Sequence, residues 1–279
     1  MKFTNSFLAA AAASIATAQS NYTRCGLDAP AAEQVAALDA AAAEGAANLE
    51  ISRMAAATIP TYVHVVTSST KQGRYSQTMI RNQISAMNQA FAGMGFTFSL
   101  ASTDFTVNNN WAASNLGTTN ERNMKTALRK AQGYDELDLY FLSDIPGGTL
   151  GWCYFPVSNP TSSDRTLDGC VNLADSMPGG SSAPFNEGAT ATHEIGHWLG
   201  LFHVFQGQSC TGAGDSVNDT PPQRTATSGC PVGKDSCSGG GVDSIHNWMD
   251  YSDDACMDRF TSGQTQRATS LFNQLRAGR

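Results

Sequence analysis

The sequence predicts an α+β fold in which helices pack on a mixed β-sheet, and two observations carry this prediction. Strand and helix patterns follow one another from residue 59 to residue 203 in the order β-α-β-α-β-β-β-α. After His203 the chain becomes rich in Gly, Ser, Asp and Cys, and periodicity returns only near Thr261. We therefore expect a sheet-containing half followed by a loop-rich half that ends in a helix.

The individual elements follow from local patterns. The predicted strands are rich in β-branched and aromatic residues next to Pro or Gly, and they cover residues 61–66, 96–100, 137–142, 149–156 and 168–173. The predicted helices carry apolar residues at helical spacing, and they cover residues 76–92, 120–131, 187–199 and a segment that starts near Thr261.

The N-terminus has the three parts of an export signal. Lys2 supplies the positive end, residues 7–15 the short apolar run, and residues 16–18 a small-x-small cleavage site. We predict a signal peptide over residues 1–18, a pro-segment over 19–58 and a catalytic domain over 59–279. The alternative for the first segment is a buried Ala-rich helix. Residues 31–57 are also Ala-rich, so we expect them to bury little surface even if they are helical.

Composition limits the partners. The chain has 279 residues and a formal net charge of −7, with a pI near 5.1. This balance argues against nucleic acid or an anionic membrane, since both need clustered Lys and Arg. No segment after the signal is long and apolar enough to span a bilayer. We expect a secreted, extracellular monomer in which disulfides can form.

The segment HEIGHWLGLFH, residues 193–203, carries the chemistry. On a helix His193 and His197 face the same way, Gly200 allows a sharp turn, and His203 returns as a third ligand for zinc. Three ligands leave a fourth position open for water, whose pKa zinc lowers to about 7. Glu194 then acts as general base and returns the proton to the leaving amine.

This motif is specific because three of the five histidines lie within eleven residues at ligand spacing. The bland alternative is that they are ordinary core or surface residues. We assign structural roles to the remaining two, His64 and His246. Downstream, NWMDY fits a Met-turn, with Met249 as an apolar floor beneath the histidines. By analogy with related sites, Tyr251 donates a hydrogen bond to the developing oxyanion; the alternative is a structural tyrosine.

The zinc motif followed by a Met-turn resembles the metzincin metallopeptidases, and within them the pappalysin family, closest to its small fungal secreted members. The resemblance runs from about residue 59 to the end, and its other matching segments are residues 151–156, 168–173, 214–223 and 260–267. It implies a twisted mixed sheet with helices above a cleft, and a loop-rich, disulfide-stapled lower subdomain with a C-terminal helix. It also implies that the edge strand TLGWCY binds protein or peptide substrates by strand addition.

The family pattern further implies the disulfides Cys210–Cys237 and Cys230–Cys256. A third bridge, Cys153–Cys170, is suggested by two neighbouring predicted strands. Six cysteines allow 15 pairings, so the sequence leaves connectivity open. A zinc–thiolate site is the competing interpretation, although the spacing lacks paired CxxC units.

The segment GDSVNDTPPQ matches a family loop that binds calcium in some members. The resemblance implies Ca²⁺ ligands at Asp215, Val217 and Thr220, and the alternative is an ordinary turn closed by Asp side chains. Two sequons, at Asn21 and Asn218, make a glycoprotein a further expectation.

The predicted function is a zinc endopeptidase for protein digestion or nutrient acquisition. A digestive role is favoured because no binding domain follows the catalytic one. Two alternatives stay open: a regulatory peptidase of narrow specificity, and an inactive secreted zinc-binding module. Glu194 argues against the inactive module, because a zinc site without catalysis needs no base there.

Cys25 is the one cysteine outside the predicted catalytic domain. It lies in the triplet Arg24-Cys25-Gly26, which resembles the cysteine switch of related peptidases. A thiolate is a good zinc ligand, so Cys25 is predicted to fill the fourth position in a latent precursor. The alternative is a free or intermolecularly paired thiol.

Overall fold

The computed structural model describes residues 22–27, 29–49 and 57–279. The predicted signal peptide and the Asn21 sequon lie outside these ranges, so both stay predictions. The second sequon residue, Asn218, is exposed. Within the described ranges no helix combines the length and the apolar character needed to cross a bilayer.

Five strands form one sheet in the order β2-β1-β3-β5-β4. The strands are β1 (Ala57–Thr67), β2 (Phe96–Val107), β3 (Leu137–Leu142), β4 (Gly151–Cys153) and β5 (Cys170–Leu173). All neighbours pair in parallel except β4, which runs antiparallel to β5 at the edge. The predicted mixed sheet is confirmed.

Two strands differ most from their predicted boundaries, for physical reasons. The strand predicted over 149–156 is paired only over β4, because its partner β5 begins at Cys170, directly after Gly169 turns with φ +89°. The strand predicted over 96–100 continues to Val107, because β1 pairs with it along its whole length. The second half of β2 is largely half-buried or exposed and polar, so its sequence lacks a clear apolar pattern.

Within the described ranges seven α-helices pack around the sheet. They are α1 (Ala32–Leu49), α2 (Gln77–Phe91), α3 (Asn109–Ala112), α4 (Thr119–Leu128), α5 (Ser162–Leu167), α6 (Ala189–Trp198) and α7 (Ser262–Leu271), the last followed by a π-helical turn over Phe272–Arg276. The predictions missed α3 and α5, which at four and six residues are too short to show a periodic pattern.

The two faces of the sheet build separate cores. One face packs against α2 and α6, where Val63 and Phe141 meet Ile80 and Ile195. The other face packs against α3 and α4, where Tyr140 and Trp152 meet Met124. Strand alternation therefore decides which side chains face the helix that carries the histidines.

The Ala-rich N-terminal stretch corrects one expectation. It forms α1, and one face of that helix is buried against the C-terminal helix, with Leu38 only 2% exposed beside Leu271 and Leu275. Asp39 adds an ion pair, with its Oδ1 2.7 Å from Arg267 Nη1. The expectation that this stretch buries little is wrong on that face, because a single leucine and small alanines allow close helix packing.

The lower half, from residue 200 to α7, consists of loops and short helical turns, as predicted. Disulfides join Cys210 to Cys237 and Cys230 to Cys256, and a third joins Cys153 of β4 to Cys170 of β5. Such cross-links restrict the unfolded chain, which stabilises a region with little regular structure.

A buried ion pair connects the C-terminus to the end of α6. The Arg276 guanidinium donates two hydrogen bonds to Asp168, at 2.9 and 3.0 Å. The same guanidinium stacks 3.9 Å from the centroid of the Trp198 ring and donates to the Trp198 carbonyl. Trp198 Nε1 in turn donates to Asp168. This cluster fixes the C-terminal end of α6, directly after the histidine motif.

His64 lies inside the sheet between two carboxylates. Its Nδ1 is 2.8 Å from Asp104 Oδ2 and its Nε2 is 2.9 Å from Asp138 Oδ1. Ionised carboxylates only accept hydrogen bonds, so both contacts are made best by a protonated imidazole. Burial alone lowers the pKa of His64, but the hydrogen bonds and charges of Asp104 and Asp138 outweigh it, and the net pKa is raised.

A raised folded-state pKa predicts pH-dependent stability. The contribution of His64 should be complete below the unfolded imidazole pKa of about 6.5 and should be lost as the pH rises through the raised folded pKa. Urea unfolding of the Glu194→Ala protein, with and without the additional substitution His64→Gln, would measure this contribution to stability at each pH. The difference in unfolding free energy should shrink with rising pH, by about 1.4 kcal/mol for each unit of pKa elevation.

Asn88 provides a control for this measurement. Its carboxamide makes two hydrogen bonds to the backbone of Phe98, and it carries no charge. Asn88→Leu should lower stability by the same amount at every pH. A His64→Gln effect that is equally flat would contradict the role assigned to the imidazole.

Candidate metal centre and active site

Helix α6 places the first two histidines and the glutamate. The helix starts after Gly188, which has φ +94°, and all ten of its residues are buried. His193 and His197 lie one turn apart with ring centroids 4.8 Å from each other. Glu194, between them in sequence, is also fully buried.

The chain then turns at Gly200 and returns with the third histidine. Gly200 has φ +90°, and a Cβ at this position would collide with the Leu271 side chain. Glycine is therefore required both by the backbone conformation and by the close approach of α7. After the turn, His203 Nε2 lies 3.1 Å from His197 Nε2.

Two backbone carbonyls fix the tautomers on α6. His193 Nδ1 donates to the Trp248 carbonyl at 2.7 Å, and His197 Nδ1 donates to the Leu201 carbonyl at 2.8 Å. Each Nε2 is then left with a free lone pair. Burial lowers the pKa of all three imidazoles, that of His197 to about 4, so the rings are neutral at physiological pH.

These histidines have the chemistry of a metal site. The ligand atoms of His193, His197, His203 and Cys25 all lie within 4.8 Å of one another. Among the described residues His193 Nε2 has no hydrogen-bond partner although it is buried. Three neutral imidazole nitrogens and one sulfur form a donor set that suits tetrahedral zinc.

Glu194 lies beside this cluster. Its Oε2 accepts a hydrogen bond from the Cys25 thiol at 3.4 Å, and within the described part of the chain its Oε1 has no partner. Burial raises the pKa of the carboxyl group, opposed by the Cys25 hydrogen bond and the Arg24 charge. A carboxylate in this position can exchange a proton with a group at the histidine cluster.

The predicted Met-turn packs against helix α6 between His193 and His197, where a Cβ on Gly196 would collide with the Met249 side chain. Met249 is fully buried, and its carbonyl accepts a hydrogen bond from the Val204 amide at 3.3 Å. The Tyr251 hydroxyl is 3.2 Å from His203 Nε2 and donates to the Cys25 carbonyl at 3.3 Å. The structure thus brings both predicted residues to the cluster.

The N-terminal segment occupies the cleft above the histidines. Thr23 pairs in parallel with Thr149 at the sheet edge. Three backbone hydrogen bonds, each 2.8–2.9 Å and including the two of this bridge, join residues 23–26 to residues 148–151. This pairing places Cys25 over the histidines and covers the edge that an extended peptide would use.

Arg24 enters a buried pocket next to the cluster. Its guanidinium pairs with Asp254 Oδ1 at 2.8 Å, donates to the Ser252 carbonyl and lies 4.9 Å from the centre of the Phe185 ring. Neither side chain of the ion pair is exposed. The other oxygen of Asp254 accepts amide hydrogen bonds from Glu187 and Ala189 at the start of α6.

The GDSVNDTP loop is folded around Asp215. The Thr220 hydroxyl lies 2.6 Å from Asp215 Oδ1 and 2.8 Å from the Val217 carbonyl. Asp215 Oδ2 is buried and has no partner among the described residues. Burial raises the pKa of Asp215 to about 7. All three predicted calcium ligands therefore lie together, beside a cavity of about 250 Å³.

Sequence reasoning missed the pocket residue Asp254 and the partner role of Arg24. Asp254 is one of two adjacent aspartates after the Met-turn, and Arg24 precedes Cys25 in a segment without periodicity. No local signal connects two residues that are 230 positions apart. Asn172 in β5 was also missed, although the sequence contains a signal for it. A polar residue that interrupts an otherwise apolar strand indicates a buried polar side chain.

Comparison with known proteins agrees with this geometry. Residues 154–273 match the peptidase family M43, described as pregnancy-associated plasma protein-A. An extracellular metalloprotease of Pyricularia oryzae is 51% identical over 98% of this chain and 97% of its own length. Extracellular metalloprotease 1 of Coccidioides posadasii is 49% identical over 98% of both chains.

Solved structures from Tannerella forsythia share the fold. A promirolysin mutant superposes with a TM-score of 0.67 at 28% identity, covering 89% of this chain and 93% of that one. Mature mirolysin in complex with a cleaved peptide gives a TM-score of 0.63 at 30% identity, covering 77% of this chain and 91% of that one. With relatives this similar over nearly the whole sequence, the chain belongs to the pappalysin family of zinc metalloproteases and is a hydrolase of peptide bonds.

Proposed function

We propose that the protein is a secreted endopeptidase that uses zinc held by His193, His197 and His203. The observation that carries the proposal is the convergence of neutral imidazoles whose tautomers are fixed by backbone carbonyls. A zinc ion held there would supply Lewis acidity toward the scissile carbonyl and acidify a water molecule. The extracellular naming of the relatives supports secretion.

The roles of the protein groups follow from their positions. Glu194 takes a proton from the attacking water at its carboxylate and delivers it to the leaving amine. Tyr251 donates a hydrogen bond to the oxyanion that develops on the carbonyl. The edge strand β4 orients an extended substrate through backbone hydrogen bonds. Cleavage after residue 18 and release of residues 19–58 complete the proposed maturation.

Glu194→Ala tests the catalytic proposal. The substitution removes the base but leaves the three imidazoles, so casein hydrolysis should fall by roughly 100- to 10,000-fold while zinc content stays at the wild-type level. Activity assays and metal analysis on the same purified sample would measure both. Unchanged hydrolysis in the variant would exclude Glu194 as the base. It would also exclude the alternative of an inactive zinc-binding module, because the protein would then be an active peptidase.

We also propose that residues 19–58 keep the precursor latent through Cys25. The thiol lies among the histidine nitrogens, and its pKa is raised first by burial and then by the Glu194 charge when no metal is bound. Zinc stabilises a thiolate, so a bound ion would recruit this sulfur as its fourth ligand. The thiol and the catalytic water compete for that position.

Cys25→Ala tests latency. The variant precursor should hydrolyse peptides without prior removal of the pro-segment, because the fourth ligand position is then free. Tyr22→Ala provides the control, since Tyr22 belongs to the same segment but its ring packs on Phe185. A Cys25→Ala precursor as silent as the Tyr22→Ala precursor would refute the cysteine switch. Activity should be followed from the moment of purification, with the N-terminus sequenced in parallel.

The acidic pocket that holds Arg24 supports a preference for substrates with a basic residue. Such a preference favours a peptidase with a defined cleavage site. When the pro-segment leaves, the Asp254 carboxylate loses the cation that balances it, and a buried unpaired charge is unfavourable. A lysine or arginine of a substrate restores the pair. A peptide antiparallel to β4, in the opposite sense to the pro-segment, places the residue after the scissile bond in this pocket.

Peptides that carry arginine or citrulline after the scissile bond test this preference. Citrulline keeps the shape of arginine but is uncharged. The wild-type enzyme should favour the arginine peptide. Asp254→Asn should lower kcat/KM for that peptide roughly 30- to 150-fold, which corresponds to a loss of about 2–3 kcal/mol of transition-state stabilisation. The citrulline peptide serves as the control, because its cleavage should change little. Equal cleavage of both peptides by the wild type would contradict an acidic pocket.

A calcium ion in the Asp215 loop is proposed as a structural cofactor. The loop offers the Asp215 carboxylate, the Val217 carbonyl and the Thr220 hydroxyl, which are oxygen donors of the kind calcium prefers. The buried and unpartnered Asp215 Oδ2 supports the proposal. Burial raises the pKa of this carboxyl group, and a bound cation would stabilise its ionised form.

A further inference from the structure

Asn172 occupies an unusual place in the sheet. It lies in β5 between apolar neighbours, and strand alternation puts it on the same side as Cys170, which packs with Ala191 and Ile195 of α6. The side chain is fully buried. Among the described residues neither its Oδ1 nor its Nδ2 has a hydrogen-bond partner. Burying polar groups without hydrogen-bond partners is unfavourable.

The carboxamide of Asn172 faces the side chain of Glu194. Gly151 of β4 pairs directly with Asn172 across the ladder. A Cβ on Gly151 would lie 2.9 Å from Glu194 Cγ and 3.2 Å from Asn172 Oδ1. Both side chains thus approach the position of the missing Cβ, and any larger residue at position 151 would collide with them.

Both of these neighbouring side chains carry unmatched polar atoms. Glu194 Oε1 is buried without a partner in the described part of the protein, as are both polar atoms of Asn172. In the latent arrangement Glu194 is held by the Cys25 thiol through its other oxygen. A half-turn of the carboxamide exchanges Oδ1 and Nδ2, so the amide donor can take the position that faces the glutamate.

We propose that Asn172 is a positioning residue for Glu194. When Cys25 leaves the cleft, the Asn172 amide donates a hydrogen bond to Glu194 Oε1 and holds the carboxylate toward the histidine cluster. The Asn172 amide donor and Glu194 Oε1, both unmatched in the latent form, are then paired in the active form. This inference rests on the proposed role of Glu194 as base. A donor that orients the base speeds the chemical step without contributing to substrate binding.

Asn172→Leu separates this role from a structural one. The substitution removes two unmatched polar groups and keeps a similar volume, so the unfolding temperature of the metal-free protein should not fall. Zinc content should also be unchanged. The value of kcat should decrease by roughly 10- to 100-fold with KM within about twofold of wild type, the size usual for loss of a group that orients a catalytic side chain.

A second variant and a control guard against trivial explanations. Asn172→Ala tests whether the leucine side chain is simply too large for the site. This smaller variant should also show a lower kcat with KM nearly unchanged. Asn88→Leu breaks two hydrogen bonds to the Phe98 backbone and should lower the unfolding temperature with kcat unchanged. A loss of kcat in both Asn172 variants that tracks loss of stability or of zinc overturns the proposal, as does an unchanged kcat.

The same measurements distinguish the two levels of inference. Zinc-dependent wild-type hydrolysis that disappears in Glu194→Ala, together with full activity in Asn172→Leu, overturns only the positioning role. Full activity in Glu194→Ala overturns the base on which that role depends. Asn172→Leu in the Glu194→Ala background should cause no further loss, because the carboxylate to be oriented is already gone.

Discussion

The active site depends on two hydrogen bonds from histidines to backbone carbonyls, those of Trp248 and Leu201. They hold the protons of His193 and His197 on Nδ1 and leave each Nε2 as a lone-pair donor. One acceptor belongs to the Met-turn and the other to the turn after Gly200. The histidines of α6 therefore have the correct tautomers only when the lower half is folded. The disulfides and the Arg276–Asp168 pair stabilise that folded arrangement.

The N-terminal segment contacts two features of the site at once. Cys25 offers a sulfur to the histidines, and Arg24 offers a cation to Asp254. Asp254 also accepts the amide hydrogen bonds of Glu187 and Ala189 at the start of α6. The carboxylate that would recognise a basic residue thus also caps the metal-binding helix, where a negative charge is favourable. The proposed preference for a basic substrate residue would therefore be coupled to the placement of the histidines through one side chain.

Much of this arrangement could be predicted from the sequence because its signals are local. The spacing of His193, Glu194, His197 and His203 depends only on helix geometry and one glycine turn, and the sheet and C-terminal helix follow from periodicity. The Arg24–Asp254 pair could not be predicted, because its partners meet only when distant segments fold together. The face of α1 that packs on Leu271 was missed since alanines give no strong apolar pattern. The signal peptide and the domain boundaries remain predictions.

The edge strand β4, which is the proposed substrate-binding surface, is anchored on both sides of the sheet. Trp152 Nε1 donates to the buried Glu121, and Cys153 is cross-linked to β5, so both residues after Gly151 are anchored. Gly151 itself has no side chain between the strand and Glu194. A peptide bound along this edge, as proposed, would consequently be held close to Glu194. Orientation of this kind contributes to catalysis because the freedom of the reacting groups is already restricted before the bond breaks.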